Sequence, residues 1–231
     1  MFYITGDTHG SFYRIKDFCK KYKTKQKNDT MIIPGDAGIN YYMDHRDKEK
    51  KKELSNMPIT FLCVHGNHEA RPEMLRAYKR KEFCGGAVYV EDKYPNILFA
   101  IDGEVYTFDN KKYLMCGGAY SVDKQYRQLR GYNWWDDEQP SEEIKRDVEE
   151  SCEIFKWELH GVITHTCPLK YEPIEVFLPG IDQSKVDKST EAWLDQLEER
   201  LDYNMWYCGH YHTDKNIDKM RFMYENIEEL K

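Results

Sequence analysis

The sequence predicts an α/β protein with a largely parallel sheet, and the order of its elements is the basis of this prediction. In the first third, a short apolar stretch, a loop and a helical pattern follow one another three times, which indicates βαβ units. The middle holds short apolar stretches separated by turns, and the last third returns to strands that end in polar loops. With 231 residues, 40% of them hydrophobic, the chain can bury one good core, so we expect a single domain over residues 1–231.

Three strand–helix pairs are expected in the first third. Ser11 is expected to be the N-cap of the first helix, because its hydroxyl can accept a hydrogen bond from the first turn. Pro72 lies near the start of the third helical pattern, where a missing N–H costs little. The strands are expected at residues 2–4, 30–33 and 59–64, and the helices at 11–22, 44–54 and 72–79.

The middle of the chain changes to short strands joined by turns. Asp102-Gly103 and Asp109-Asn110 are two of these turns, and strands spaced in this way tend to pair antiparallel. A polar and aromatic segment from Tyr120 to Pro140 follows. The strands are expected at residues 87–90, 97–100, 105–108 and 113–116.

The last third returns to the pattern of a strand followed by a polar loop. Ser141, followed by Glu142 and Glu143, predicts a helix that extends to about Leu159, since an N-cap hydroxyl and acidic side chains stabilise a helix start. Residues 168–188 hold three prolines and no clear period, which predicts a long loop. Strands are expected at 161–164 and 205–208, with a helix at 190–201 between them.

Composition excludes several classes of protein. The formal net charge of −7 argues against a broad surface for extended nucleic acid, because neutralising phosphates requires clustered Lys and Arg. A phosphate substrate stays possible, because bound cations would reverse the local field. No apolar stretch is long enough to cross a bilayer, and the N-terminus lacks the pattern of a signal peptide. Seven cysteines without a Cys-x-x-Cys pair indicate reduced thiols, so we expect a soluble cytoplasmic protein.

Five short clusters of acidic, asparagine and histidine residues each follow a predicted strand. They are Gly6-Asp7-Thr8-His9-Gly10, Gly35-Asp36, Gly66-Asn67-His68-Glu69, Thr164-His165 and Gly209-His210-Tyr211-His212. In open α/β sheets ligands gather beyond the carboxyl ends of the strands, so five such loops should converge on one crevice. His160 is a competing candidate for the fourth cluster, but it precedes its strand. The candidate metal ligands are Asp7, His9, Asp36, Asn67, His165, His210 and His212, and His68 is a spare histidine.

This set of ligand types suits a pair of divalent cations. Two cations about 3.5–4 Å apart can deprotonate a bridging water, hold phosphoryl oxygens and stabilise a leaving group. A carboxylate can bridge both ions, and imidazole and amide groups complete the shells. We expect Mn, although this oxygen and nitrogen mixture also admits Fe, Co, Ni or Zn. A histidine is the usual proton donor to a leaving alkoxide near neutral pH. The residues therefore predict a metal-dependent phosphoester hydrolase.

In these five motifs the chain resembles the calcineurin-like metallophosphoesterase superfamily. The pattern Asp-x-His, Gly-Asp, Gly-Asn-His-Glu, His and Gly-His-x-His is matched in order from Asp7 to His212. The resemblance implies a two-sheet β-sandwich of mixed sheets flanked by helices, with a dinuclear centre. By motif position, it implies that Asp7, His9 and His212 bind one ion, that Asn67, His165 and His210 bind the second, that Asp36 bridges both, and that His68 is the general acid.

The second motif departs from one branch of that superfamily. The protein serine/threonine phosphatases carry Gly-Asp-x-Val-Asp-Arg-Gly there, whereas this chain has the segment from Gly35 to Tyr41, Gly-Asp-Ala-Gly-Ile-Asn-Tyr, without the arginine. That arginine would grip a phosphate dianion, so its absence argues against phosphoprotein phosphatase activity. Arg71, shortly after Glu69, is a candidate to fill the gap.

We expect a phosphodiesterase acting on a small phosphodiester or a nucleotide-type substrate. One alternative is a phosphomonoesterase that resembles the serine/threonine phosphatases, and another is a non-catalytic metal-binding scaffold. A scaffold would have no need of the general acid His68. A nuclease would be limited to short or locally gripped nucleic acid because of the acidic balance.

The segment of residues 120–140 is a candidate lid or substrate-side insertion. It follows two glycines and contains Lys124 and Arg127, which could contact phosphate, together with Trp134 and Trp135, which could stack on a base. The alternative is a packed insertion whose tryptophans belong to the core.

Overall fold

The computed structural model describes all 231 residues, with thirteen strands and five helices of two turns or more. The helices are α1 Tyr13–Tyr22, α2 His45–Ser55, α3 Lys124–Arg130, α4 Glu142–Ile154 and α5 Ser189–Arg200. The strands are β1 Phe2–Thr5, β2 Thr30–Ile33, β3 Thr60–Cys63, β4 Tyr78–Phe83, β5 Gly86–Glu91, β6 Ile97–Ala100, β7 Val105–Phe108, β8 Lys111–Cys116, β9 Gly161–Thr164, β10 Met205–Cys208, β11 Lys215–Ile217, β12 Met220–Phe222 and β13 Ile227–Glu229.

The strands form two mixed sheets. The first has seven strands in the order β13-β1-β2-β3-β6-β5-β4, and the second has six in the order β11-β12-β10-β9-β8-β7. Strands β1, β2, β3 and β6 pair in parallel, as do β8, β9, β10 and β12, and the outer pairs are antiparallel. The predicted α/β class, with mixed sheets and flanking helices, is confirmed.

Alternation along the strands explains how the two sheets and the helices pack. In β2, Ile32 packs between the sheets against Ile163 of β9, whereas Ile33 packs on the side of α1 and α2. On the second sheet Tyr207 faces the first sheet, and its neighbour Trp206 packs with the residues of α4 and α5. Both faces of each sheet are thus covered, and this is why the parallel strands are apolar at consecutive positions.

This layering places the polar loops at one edge of the molecule. The parallel strands β1, β2 and β3 end at the same edge of the first sheet, and β9 and β10 end together in the second. Each predicted cluster begins within three residues of such a strand end. The fold therefore brings distant parts of the chain together where the strands end.

The predicted helix at residues 72–79 is wrong. Residues Pro72–Met74 form a single 3₁₀ turn, and β4 begins at Tyr78 as an exposed edge strand paired with β5. Its centre is Lys79-Arg80-Lys81-Glu82, and charged side chains of this kind protect a sheet edge from further pairing. Because that stretch has no apolar alternation, the sequence carried no strand signal there.

Other boundaries differ for local reasons. The helix α1 begins at Tyr13 after Phe12, so Ser11 is not its N-cap. Ser141 does cap α4 by accepting a hydrogen bond from the Ile144 N–H, but the helix ends at Ile154 and not near residue 159. The backbone adopts positive φ soon after, at Lys156 and Trp157, which a helix cannot accommodate. None of the five helices has both the length and the apolar stretch needed to span a bilayer.

Candidate metal centre

The loops after β1, β2 and β10 hold the candidate ligands in a backbone conformation that L-residues seldom adopt. Positive φ at a residue other than glycine is sterically costly, and it persists only where surrounding contacts enforce it. Four of the seven candidate ligands have it: His9 (φ 44°), Asp36 (φ 49°), His210 (φ 65°) and His212 (φ 47°). Such a concentration of strain is a common property of functional sites.

Two glycines, Gly66 and Gly209, leave the space that the carboxylates of Asp36 and Asp7 occupy. A Cβ at Gly66 would lie 2.0 Å from Asp36 Oδ1, and a Cβ at Gly209 would lie 2.1 Å from Asp7 Oδ1. Both contacts are far shorter than a carbon and an oxygen can approach. Main-chain N–H groups then hold the carboxylates, since His68 N donates to Asp36 Oδ1 at 2.8 Å and His210 N donates to both oxygens of Asp7 at 3.1 Å.

The first set of candidate ligand atoms comes from the loops that follow β1 and β10. His9 Nε2 lies 2.9 Å from His212 Nε2, and His212 Nε2 lies 3.4 Å from Asp7 Oδ2. Two adjacent ligand atoms, each about 2.1 Å from the same ion, are separated by about 3 Å. Asp7, His9 and His212 are therefore spaced as ligands of one ion would be.

The second set of candidate ligand atoms comes from the loops that follow β3, β9 and β10. Asn67 Oδ1 lies 2.8 Å from His165 Nε2 and 3.2 Å from His210 Nδ1. The structure brings His165 here and leaves His160 outside, where its ring contacts Asn204 and Lys231.

The orientation of these groups leaves their lone pairs directed at one another. His165 Nδ1 lies 2.8 Å from the carbonyl oxygen of Pro34, which can only accept, so Nδ1 carries the proton and Nε2 presents a lone pair. The Asn67 amide nitrogen donates to Ser121 Oγ at 2.8 Å, which directs Oδ1 at His165. Two acceptors 2.8 Å apart repel each other unless a cation lies between them. The residues present thus fit a metal ion.

Asp36 lies between the two sets. Its Oδ2 is 3.9 Å from His9 Nε2 and 3.7 Å from His165 Nε2, so one carboxylate reaches ligand atoms of both groups. The side chain is 1% exposed, which removes competition from water. A buried carboxylate in this place has the geometry of a bridging ligand.

Local electrostatics put Asp36 and His210 in the protonation states that metal binding requires, whereas the hydrogen bond with Asp7 raises the pKa of His212. Burial opposes ionisation of Asp36, but the neighbouring histidines His165, His68 and His9 outweigh it and lower its pKa. Burial, together with the charge of His165, lowers the pKa of His210 to about 3, so its ring is neutral at physiological pH. Ionised carboxylates and neutral imidazoles are the forms that bind divalent cations.

His68 stands at the edge of the cluster, where one of its ring nitrogens lies within 4.8 Å of ligand atoms of His9 and Asp36. Its side chain is 28% exposed, and Nε2 lies 3.9 Å from Asp123 Oδ1. Its ring is 5.4 Å from the ring of His9, centroid to centroid. Burial is the main cause that lowers the pKa of His68. The side chain can therefore reach the space above the ligands while its backbone holds Asp36.

A cavity of about 400 Å³ opens above the ligands. His68, Tyr120, Val122 and Asp123 are among its lining residues, so only the first residues of the segment 120–140 reach the cavity. Further lining residues come from the long loop after β9, which the sequence analysis did not connect with the site. That loop contributes Glu172, Val176, Phe177, Leu178, Ile181, Gln183 and Val186.

The three predicted substrate-binding cations lie outside this cavity. Arg71 is buried and pairs with Asp102 at 2.6 Å, beside a second cavity. Lys124 lies 4.0 Å above the ring of Trp134, and Arg127 Nη1 donates to Ser121 Oγ at 3.0 Å.

The tryptophans of the segment 120–140 do not take the expected positions. Trp134 donates its indole N–H to Glu138, and Trp135 lies near the ring of Tyr41. Neither lines the cavity, and neither belongs to the buried core.

Two positioning residues were not found from the sequence. Ser121 accepts from the amide of Asn67 and from Arg127, so it fixes the direction of the Asn67 oxygen. Arg14, on α1, donates to the carbonyl oxygens of Gly6 and Asp7 at 2.7 Å and holds the first ligand loop. Neither residue belongs to a motif, since only the fold places them beside the ligands.

The chain belongs to the calcineurin-like phosphoesterase family, whose model matches residues 1–214. A comparison with curated proteins gives no match. Among solved structures, a phosphopantetheinyl hydrolase from Mycobacterium tuberculosis is similar with a TM-score of 0.52 and 12% sequence identity, covering 96% of this chain and 87% of that one. At that identity the likeness concerns the fold.

Family membership and the geometry of the site agree. The family implies two divalent ions, and the structure supplies groups of Asp and His residues that fit them. The chain is therefore a metal-dependent enzyme that hydrolyses phosphoester bonds, and the resemblance found in the sequence is confirmed.

Proposed function

We propose that this enzyme is a phosphodiesterase that acts on a small phosphodiester. The observation that carries the proposal is that no Lys or Arg side chain lines the cavity above the ligands. A phosphomonoester has a second pKa near 6 and carries close to two negative charges at neutral pH, whereas a diester carries one. If the metal ions are the only cations at the site, its positive charge is better matched to the single negative charge of a diester than to the two charges of a monoester.

The ligand assignment follows the two sets of atoms described above. Manganese is the expected metal, since carboxylate and amide oxygens suit it, while the imidazole ligands also admit Fe, Ni or Zn. When bound, the two ions would lower the pKa of a water molecule and offset charge on the phosphoryl oxygens. Asp7, His9 and His212 would hold one ion, Asn67, His165 and His210 would hold the other, and Asp36 would contact both.

His68 is assigned the role of general acid. Its imidazole would donate a proton to the ester oxygen that leaves, which is otherwise a strongly basic alkoxide. The Asp123 carboxylate, 3.9 Å from Nε2, favours the protonated ring, and so would the negative charge of a bound phosphodiester. These charges oppose the effect of burial on its pKa.

The decisive experiment is a comparison of Mn-loaded protein on bis(p-nitrophenyl) phosphate and p-nitrophenyl phosphate. Diester turnover that disappears in Asp36→Asn, together with loss of bound Mn, is the expected result. Asp218→Asn is a matched control, because Asp218 is exposed at positive φ, which asparagine tolerates. Turnover of the monoester alone would contradict the proposed diesterase function and support the alternative, a phosphomonoesterase. Full metal occupancy without hydrolysis of either ester would favour the scaffold.

A further inference from the structure

The loop after β9 places a wall of apolar side chains against the metal centre. We call Val176, Phe177, Leu178, Ile181 and Val186 the apolar wall, since all five line the cavity whose floor is the ligand cluster. Val122 also lines this cavity. The wall therefore belongs to the space that a bound substrate would occupy.

Part of the apolar wall is exposed to solvent. Leu178 is 62% exposed and Val176 is 37% exposed, while Ile181 and Val186 are half-buried. A contiguous exposed apolar patch at a cavity is typical of a surface that a ligand covers. Ile174 in the same loop is also exposed, at 72%, but it does not line the cavity.

Beyond the candidate ligands, the acidic and basic side chains that line the cavity are His68 and the three carboxyl groups of Asp123, Glu172 and Glu191. All three carboxyl groups already have partners in the protein, and Asp123 lies 3.7 Å from Arg127 Nη1. Glu172 pairs with Lys188 at 2.6 Å, and Glu191 accepts from Thr166 Oγ1 at 2.7 Å. No lysine or arginine lines the cavity, so a further phosphate or carboxylate on the organic group would find no cation there apart from His68.

We infer that the apolar wall binds the organic arm of the substrate, and that this arm is an uncharged hydrocarbon or aryl group. The inference rests on the proposed diesterase function and narrows it, because it disfavours nucleotides with additional phosphates. A cavity of about 400 Å³ is within the range of sites for small molecules, so the arm is short. Each methylene that leaves water for the wall is worth about 0.8 kcal/mol, or roughly a fourfold gain in kcat/KM.

The test is a series of p-nitrophenyl phosphodiesters in which the second ester group is methyl, butyl or hexyl. All three carry the same charge and the same leaving group. We expect kcat/KM to rise by about fourfold for each methylene until the wall is covered, and therefore by more than tenfold from methyl to butyl. A matched diester whose second arm ends in a carboxylate should react more slowly than the butyl ester.

Two variants of one loop separate the wall from its surroundings. Ile181→Asp places a charge on the wall, whereas Ile174→Asp places the same charge on the same loop outside the cavity. Ile181→Asp should remove the dependence of kcat/KM on chain length, so that the methyl and butyl esters react with similar kcat/KM. Ile174→Asp should behave as the parent protein does. Thermal unfolding of both variants checks that they are folded.

The outcomes distinguish this inference from the proposed function. Equal kcat/KM for all three esters would contradict the inference that the apolar wall binds the organic arm. If Asp36→Asn abolishes that activity, the proposed diesterase function would still stand. If no diester is hydrolysed, the inference is tested by binding instead. Isothermal titration calorimetry would compare the affinities of the methyl esters of methylphosphonate and hexylphosphonate. Tighter binding of the hexyl compound that Ile181→Asp removes would support the wall, and equal binding would overturn it.

Discussion

The space at Gly66 gives the sharpest test of how the fold builds the metal centre. In Gly66→Ala the new Cβ would lie 2.0 Å from Asp36 Oδ1 and 2.2 Å from the Asp36 backbone nitrogen. Rotation of the Asp36 side chain can relieve the first contact but not the second, so the loop after β2 must move. Gly66 does not have positive φ, so alanine adds no backbone strain of its own.

The magnitude follows from overpacking a buried site. Forcing an extra carbon into a filled space costs about 1–3 kcal/mol, which lowers the Tm of a domain of this size by roughly 2–12 °C. The functional effect should be larger, because Asp36 lies within 4 Å of ligand atoms in both sets. We expect Gly66→Ala to lose bound metal at both sites and to lose at least about a hundredfold in kcat/KM, since a 1 Å misplacement has effects of that order.

Metal content by mass spectrometry and kcat/KM for the diester are the two measurements. Gly131→Ala is the control, because its Cβ would meet nothing within 4 Å, although its φ of +68° makes the substitution mildly strained. It should lower stability slightly and leave two ions bound. Gly66→Ala with two ions per chain and parental kcat/KM would refute the claim that this space positions Asp36.

Three further predictions follow from single contacts. His68→Gln should lower kcat by about 10²–10⁴-fold while two ions stay bound, measured by steady-state kinetics and metal analysis, and parental kcat would exclude its role as general acid. Ser121→Ala should weaken the affinity of the protein for one ion by about 10–100-fold, because the Asn67 amide loses its hydrogen-bond acceptor. Competition with a chelator measures this affinity, and Ser184→Ala, in an exposed turn, is the control. Burial raises the pKa of Glu191 to about 7 from an ordinary value of 4.5, so the folded state binds more protons than the unfolded state between these values. The free energy of unfolding should therefore fall as pH rises from 4.5 to 7, and urea titrations of Glu191→Gln should show a smaller fall; an identical pH dependence would contradict this.

The ligand loops were visible in the sequence because two independent patterns agreed at each of them. A buried strand is apolar at consecutive positions, and a polar pair directly after it, as in Asp7 and His9, has no role in a core. Parallel strands then place all such loops at one edge. That reasoning singled out the seven candidate ligands, but it could not show that His9, Asp36, His210 and His212 have positive φ. Backbone strain of this kind depends on contacts from other parts of the chain.

The parts that the sequence did not predict lack a repeating signal. The apolar wall lies in residues 168–188, where the structure has only short 3₁₀ turns, so neither a helical nor a strand period exists. The strand β4 is charged at its centre, and α3 lies in the polar and aromatic segment 120–140, where no helix was predicted. Ser121 and Arg14 gain their roles from distant partners, which a single sequence does not reveal.

The division of the ligands between the two sheets explains why a cavity exists at this edge. Asp7, Asp36 and Asn67 follow strands of the first sheet, whereas His165 and His210 follow strands of the second. The sheets pack face to face through residues such as Ile32 and Ile163, so their strand ends stay a fixed distance apart. Because Asp36 contacts atoms supplied by both sheets, closing or widening that separation would break the site before it disturbed either sheet. We therefore expect the two sheets to hold the candidate ligands in place, and the loop after β9 to determine which organic group fits beside them.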